Sequence, residues 1–209
     1  MNRTHAIADD FLSRQEHLDL WAAFQDAARS PAGTRDWNRV YRLTDGEARR
    51  PSLLDGTGDG SPGPAPLRAF SEKLLALMAG APISLEPWTG FSQSPWVYGP
   101  GAGLEWHSDT GWLGAYIYYM HPLWHSSWGG ELLVASGDTP PSGGAASGDS
   151  RSAVEAVCRS GGVFIYPRPN RLVLLRGGTL HCIKKVEGTA SRASVSGFFF
   201  NTDNPPASS

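Results

Sequence analysis

The stretch Glu105-Trp106-His107-Ser108-Asp109-Thr110-Gly111 carries an imidazole and a carboxylate two residues apart. In an extended strand alternate side chains share a face, so His107 and Asp109 point together into whatever the strand encloses. Together they supply two ligands for a divalent metal. A second histidine from a distant strand would complete a two-histidine, one-carboxylate facial set, the arrangement that holds ferrous iron and leaves coordination positions open. His181 is the expected third ligand, because enough chain separates it from His107 for several strands and turns to intervene. H-x-D alone is a common tripeptide, so this reading depends on what the chain places around it.

Arg192 follows His181 at a distance that suits the next strand of an antiparallel pair. Running back beside the histidine strand, it would set its guanidinium deeper in the same enclosure. A buried guanidinium needs an anion, and its planar fork binds a carboxylate through two parallel hydrogen bonds. A dicarboxylate reaching from the metal to the floor would satisfy both ends. Ser194 shares a face with Arg192 and adds a hydroxyl donor to the same carboxylate. The neighbours Val195, Gly197, Phe198, Phe199 and Phe200 describe a strand buried on both sides, which argues for an inward arginine.

Short strands and turns must position these groups. Eight tryptophans and 25 glycines among 209 residues fit aromatic-rich strands broken by glycine turns, the pattern of an all-β sandwich or barrel. Strands are expected at 83–88, 93–98, 104–107, 112–120, 131–135, 163–167, 171–176, 180–186 and 192–200, an eight- or nine-stranded antiparallel assembly, with a short strand at 37–43. Ahead of them, residues 10–28 carry Phe11, Leu12, Leu18, Trp21, Ala22 and Phe24 at helical spacing, capped by Asp9 or Asp10. Pro66 opens a second helix with Leu67, Phe70, Leu74, Leu75 and Met78 on one face, stopped by Gly80 and Pro82. Residues 44–66 and 136–150 are rich in Gly, Pro, Ser and Asp and read as loops, the first a connector or a cover for substrate. The chain is read as one domain over 1–209, with a helical lead-in at 1–82, a β core at 83–202 and a flexible insertion at 136–150.

Composition narrows the partners. Eighteen Lys plus Arg against 20 Asp plus Glu give a net charge of −2 with no basic run, so nucleic acid is not an expected partner. The N-terminus has neither the apolar run of a signal peptide nor the length of a spanning helix, so no membrane association and a cytoplasmic location are expected. Cys158 and Cys182 lack metal-type spacing and are assigned no chemistry. His5 and His17 are expected to be solvated. Trp96 and Trp112 suit an apolar wall for substrate. His121 and Glu131 are further candidates for substrate contact, although Pro122 argues against a helix that would align His121 with His125.

Taken together, His107-x-Asp109, His181 and Arg192-x-Ser194 within a run of short strands resemble the Fe(II)- and 2-oxoglutarate-dependent dioxygenases, in particular their prolyl-hydroxylase-like branch. Trp96-Val97-Tyr98-Gly99-Pro100-Gly101-Ala102-Gly103-Leu104 is similar to that branch's tyrosine strand and glycine-rich turn. Ile117-Tyr118-Tyr119-Met120 followed by Trp128-Gly129-Gly130-Glu131-Leu132 is similar to its aromatic strand and G-G turn. The resemblance covers about residues 90–202. It implies a mainly β fold: a double-stranded β-helix (jelly-roll) core with N-terminal helices packed on one sheet. It also implies Fe(II) on His107, Asp109 and His181, with 2-oxoglutarate as cosubstrate, O2 as oxidant, and Arg192 on the distal carboxylate. Tyr98 and Tyr119 would hydrogen-bond the cosubstrate, Tyr119 with more support because Tyr118 points the other way. Because Asp109 fills the position that related halogenases leave to a halide, the expected reaction is hydroxylation of an unactivated C–H bond. The expected substrate is a small molecule, a free amino acid or natural-product intermediate. Hydroxylation of a peptidyl proline or other protein residue, and a non-catalytic ligand-binding jelly roll, are the alternatives. The sequence does not indicate an oligomeric state.

Overall fold

The computed structural model describes residues 3–26, 29–31, 48–51, 65–109, 111–136, 155, 159 and 161–202. The expected strand at 37–43, most of the loops at 44–66 and 136–150, and Cys158 lie outside them. The strands form two antiparallel sheets. β1 (His5–Ala8), β2 (Arg29–Pro31), β3 (Ala48–Pro51), β4 (Gly90–Phe91), β5 (Ser94–Tyr98), β7 (Gly114–Tyr119), β10 (Leu172–Arg176) and β12 (Arg192–Phe200) make the larger one. Its order is β1-β10-β7-β12-β5-β3-β2, with β4 also on β12. β6 (Leu104–Ser108), β11 (Leu180–Ile183), β8 (Leu132–Ala135) and β9 (Gly162–Ile165) make the smaller sheet, in the order β6-β11-β8-β9. These two sheets form the jelly roll that the family resemblance implies.

Alternation along the central strands divides the core in two. On β7, Ala115, Ile117 and Tyr119 face the smaller sheet, where they join Val173, Leu175, Leu132, Val134 and Ile183. Tyr116 and Tyr118 face the opposite way, with Leu172, Leu174, Val195 and Phe199. That outer face is covered by helices α1 (Arg14–Asp26) and α2 (Ala65–Ala79), which contribute Leu20, Phe24, Leu67, Phe70, Leu74 and Met78. A strand buried on both faces reads as continuous apolar sequence, as Gly114–Tyr119 does. The helices therefore close one side of the large sheet and leave its other side to line the space between sheets. None of the described helices is long and apolar enough to cross a membrane.

Several local expectations are corrected. Residues 83–88 form no strand, and only Gly90–Phe91 pairs there, with Phe200 and Phe199. His5 lies not in a helical lead-in but on β1, which pairs antiparallel with β10 at the sheet edge. The cap of α1 is Ser13, not Asp9 or Asp10. Ser13 Oγ accepts from the Glu16 N–H at 3.3 Å, while Glu16 Oε2 accepts from the Ser13 N–H at 2.7 Å. This reciprocal pair is a capping box. Leu75 is 45% exposed, so the buried stripe of α2 is Leu67, Phe70, Leu74 and Met78. His17 is buried, with Nδ1 2.6 Å from the Tyr118 hydroxyl. Tyr118 in turn donates to Asn170 Oδ1 at 2.9 Å, which ties α1 to the outer face of β7.

Candidate metal centre and cosubstrate cavity

The two histidines meet through strand register. β6 and β11 pair antiparallel with His107 directly opposite His181, and their rings stand 4.2 Å apart. Asp109, one residue beyond the end of β6, keeps the facing of His107 and enters the same space. Its carboxylate oxygens lie 3.9 Å from His107 Nε2 and 3.5 Å from His181 Nε2. The three donor atoms fall within 4.8 Å of one another, and all three residues are buried.

Hydrogen bonding sets the tautomers. His107 Nδ1 lies 2.7 Å from the Glu105 carbonyl and His181 Nδ1 lies 2.8 Å from the Thr179 carbonyl, in each case two residues back along the chain. A carbonyl only accepts, so each Nδ1 carries the proton and each Nε2 presents a lone pair to the shared space. Such orientation of an imidazole by its second nitrogen is how proteins prepare a histidine for a metal. Burial, reinforced by neighbouring His181, pushes the pKa of His107 down to about 4, so it is neutral at physiological pH. Two imidazoles that each turn Nε2 inward and a carboxylate, with open space beside them, form a donor set suited to a divalent iron.

Arg192 marks the deep end of the same cavity, reaching it not from a strand beside that of His181, as expected, but from β12 in the opposite sheet. It is fully buried, opposite Tyr98 in the β12–β5 register, with its guanidinium carbon 5.5 Å from the Tyr98 ring centroid and 4.8 Å from that of Tyr119. Among the described residues its Nε and Nη2 have no hydrogen-bond partner, and neither does the buried hydroxyl of Tyr119. A cation removed from water without a counter-ion is strongly unfavourable, so this end is built for an anion. Ser194, 2% exposed, lines the cavity one layer further out, opposite Trp96 on β5 and Tyr119 on β7.

The cavity has a volume of about 340 Å³ and runs from Arg192 and Tyr98 past His107, Asp109 and His181. It continues to Trp96 and Trp112, both in its wall. Tyr119 lies beneath the guanidinium rather than in that wall. His121 and Glu131, expected to contact substrate, are not among the lining residues. His121 is buried between segments: Nε2 donates to the Pro167 carbonyl at 2.7 Å, and Nδ1 accepts from the Ala193 N–H at 3.3 Å. Glu131 stands ahead of β8, where its carbonyl accepts from the Lys184 N–H.

The sequence reading missed Ser94, Ser196 and Phe198, which also line the cavity. The signal was there to extend: the alternation that pairs Arg192 with Ser194 continues to Ser196 and Phe198. Gly130, in the G-G turn marked in the sequence, has a φ of +72° and turns out to abut the arginine. A Cβ at that position would approach Arg192 Cδ and Trp124 Cζ2 to 3.1 Å each. Cys182 is buried and its thiol is pushed up to about 12, as befits a packing residue.

Comparison with known proteins gives a consistent outcome. The sequence profile of the 2OG-Fe(II) oxygenase superfamily matches residues 94–200. No curated protein matches the sequence. Similar folds include a Trichoplax adhaerens prolyl hydroxylase in complex with a hypoxia-inducible-factor peptide fragment, with a TM-score of 0.63 and 18% identity over 99% of this chain and 87% of that one. A Pseudomonas putida prolyl-4-hydroxylase gives 0.60 and 17% over 95% and 92%. HygX from Streptomyces hygroscopicus, with nickel and 2-oxoglutarate bound, gives 0.65 and 11% over 98% and 85%. HygX has also been seen with hygromycin B.

Proposed function

Because this chain belongs to the 2OG-Fe(II) oxygenase superfamily, we propose that it hydroxylates an unactivated C–H bond of a small molecule. His107, Asp109 and His181 hold Fe(II), and Arg192 anchors 2-oxoglutarate. The observation that carries this reading is the placement of a fully buried arginine, whose Nε and Nη2 have no hydrogen-bond partner among the described residues, in the same cavity as the two-histidine, one-carboxylate set. Bound Fe(II) and 2-oxoglutarate supply the oxidising chemistry: O2, 2-oxoglutarate and R–H become succinate, CO2 and R–OH.

The protein's own part is to bind, orient and exclude water. Arg192 receives the distal carboxylate of 2-oxoglutarate through its two unpaired nitrogens, with Ser194, Tyr98 and Tyr119 as hydroxyl donors around it. The Tyr98 and Tyr119 rings flank the guanidinium and restrict it to one orientation. The backbone carbonyls of Glu105 and Thr179 hold the proton on each Nδ1 and so turn each Nε2 toward the metal. Asp109 occupies the carboxylate position, which favours transfer of a hydroxyl group over a halide. Because burial increases toward Arg192, the reacting centre is drier than the entrance.

The cavity of about 340 Å³ takes iron and 2-oxoglutarate at its deep end, and the outer part that remains suits a small substrate such as a free amino acid or natural-product intermediate. Similarity to prolyl hydroxylases supports a peptide as the second reading. The decisive test is anaerobic addition of Fe(II) and 2-oxoglutarate, watching for their visible charge-transfer absorption, with His107→Ala and Arg192→Ala as separate controls. The band is expected in the intact protein and in neither control. Its absence from the intact protein would favour a non-catalytic binding jelly roll. Turnover of peptides only, with no small metabolite hydroxylated, would overturn the substrate reading.

A further inference from the structure

The walls of the cavity differ along its length. On β12 the inward residues run Arg192, Ser194, Ser196, Phe198. The first two are 0% and 2% exposed, whereas Ser196 and Phe198 are half-buried, so the cavity opens in the direction of Phe198. β5 shows the same gradient from buried Tyr98 to half-buried Trp96 and Ser94. In register, Ser196 lies opposite Ser94 and Ser194 opposite Trp96. At the open end Trp112 lies flat on Phe198, with centroids 4.8 Å apart and planes at 16°. The outer half is thus an aromatic slab and an indole on apolar walls, with serine hydroxyls facing one another across adjacent strands.

Charge is distributed as unevenly. Among the described lining residues, the groups that can carry charge near neutral pH are His107, Asp109, His181 and Arg192, and the proposed function commits all four to metal and cosubstrate. The outer half offers hydroxyls and ring faces. A hydroxyl pairs with a neutral oxygen as well as it does in water, but it cannot compensate the desolvation of a carboxylate or ammonium. Aromatic faces contribute most to a flat, apolar partner.

We propose that the outer half of the cavity, built by Trp96, Trp112, Phe198, Ser94 and Ser196, selects an uncharged, ring-bearing substrate with hydroxyl or carbonyl oxygens, and discriminates against zwitterionic free amino acids. This rests on the oxygenase reading and narrows it. The ring stacks on one outer face of the Trp112–Phe198 slab, and Ser94 and Ser196 bond its oxygens.

The test uses the full chain with Fe(II) and 2-oxoglutarate under anaerobic conditions, and reads substrate entry as a shift of the charge-transfer band. Three probes are titrated: methyl 6-hydroxy-2-naphthoate, which is neutral; its parent acid, an anion; and L-tryptophan, a zwitterion. The ester is expected to bind about tenfold or more tightly than either charged probe. In the Trp112→Ala variant, and separately in Phe198→Leu, its affinity should fall by about tenfold. Equal or tighter binding of the acid or of L-tryptophan would overturn the proposal, as would no shift by the ester up to about 1 mM. Absence of the band before any probe is added would instead overturn the oxygenase reading beneath it.

Discussion

The guanidinium carbon of Arg192 stands 4.8 Å from the ring centroid of Tyr119, and both the arginine's Nε and Nη2 and the tyrosine's hydroxyl are buried without a hydrogen-bond partner among the described residues. The pair is unfavourable until an acceptor arrives. Tyr119→Phe removes one unsatisfied donor and should leave the ligand-free protein as stable as before, or more stable by about 1 kcal/mol. The same change should raise the KM for 2-oxoglutarate by about tenfold through loss of one hydrogen bond to a carboxylate. Denaturation with and without 2-oxoglutarate checks this, because the order of the two proteins should reverse when the cosubstrate is present.

Arg192→Met replaces an uncompensated buried cation with an apolar side chain of comparable length. The ligand-free variant should unfold at higher denaturant, by an amount on the order of 1–4 kcal/mol. Its 2-oxoglutarate turnover should be lost. A destabilised variant would mean that the guanidinium has a structural partner in the protein itself.

Gly130 sits at φ +72°, against the Arg192 side chain and the Trp124 ring. Gly130→Ala introduces a left-handed alanine, at about 1 kcal/mol or more, and presses a methyl group on Arg192 Cδ. The expected result is a raised KM for 2-oxoglutarate with a smaller change in kcat, measured by succinate formation at varied cosubstrate.

His121 should make folding sensitive to acid. Burial pushes its pKa down to about 4 from 6.5. Between those values the unfolded chain takes up a proton that the folded chain refuses, so stability is full above pH 6.5 and falls as pH drops toward 4. The expected loss from this residue is on the order of 3 kcal/mol. His107, shifted in the same direction, adds to it in metal-free protein. His121→Gln should flatten the dependence of the denaturation midpoint on pH. It should also lower stability at pH 7, by about 1–3 kcal/mol, if the amide fails to satisfy both the Pro167 carbonyl and the Ala193 N–H.

Relations between near neighbours are legible in the sequence itself. A strand's period of two puts His107 with Asp109 and Arg192 with Ser194, and sets Tyr118 against Tyr119. Helical spacing marks Leu67, Phe70, Leu74 and Met78 as one face, although it assigns the exposed Leu75 to that face too. A composition of short aromatic strands and glycine turns points to an all-β sandwich or barrel, which the family resemblance narrows to a jelly roll, and the larger sheet alone takes in eight strands where eight or nine are expected for the whole assembly.

What the linear pattern could not decide is which distant segments meet. Nothing local dictates that β11 lies beside β6 in the register that sets His181 opposite His107, nor that His5 joins a strand at the edge of the large sheet. His121 and His17 carry no local mark of burial. The first is enclosed because Pro167 and Ala193 arrive around it, the second because α1 lands on Tyr118. Periodicity determines how a side chain faces relative to its own neighbours. Only the packing of whole sheets and helices determines what it faces, because that choice is made by long-range register and by the burial of complete apolar faces together.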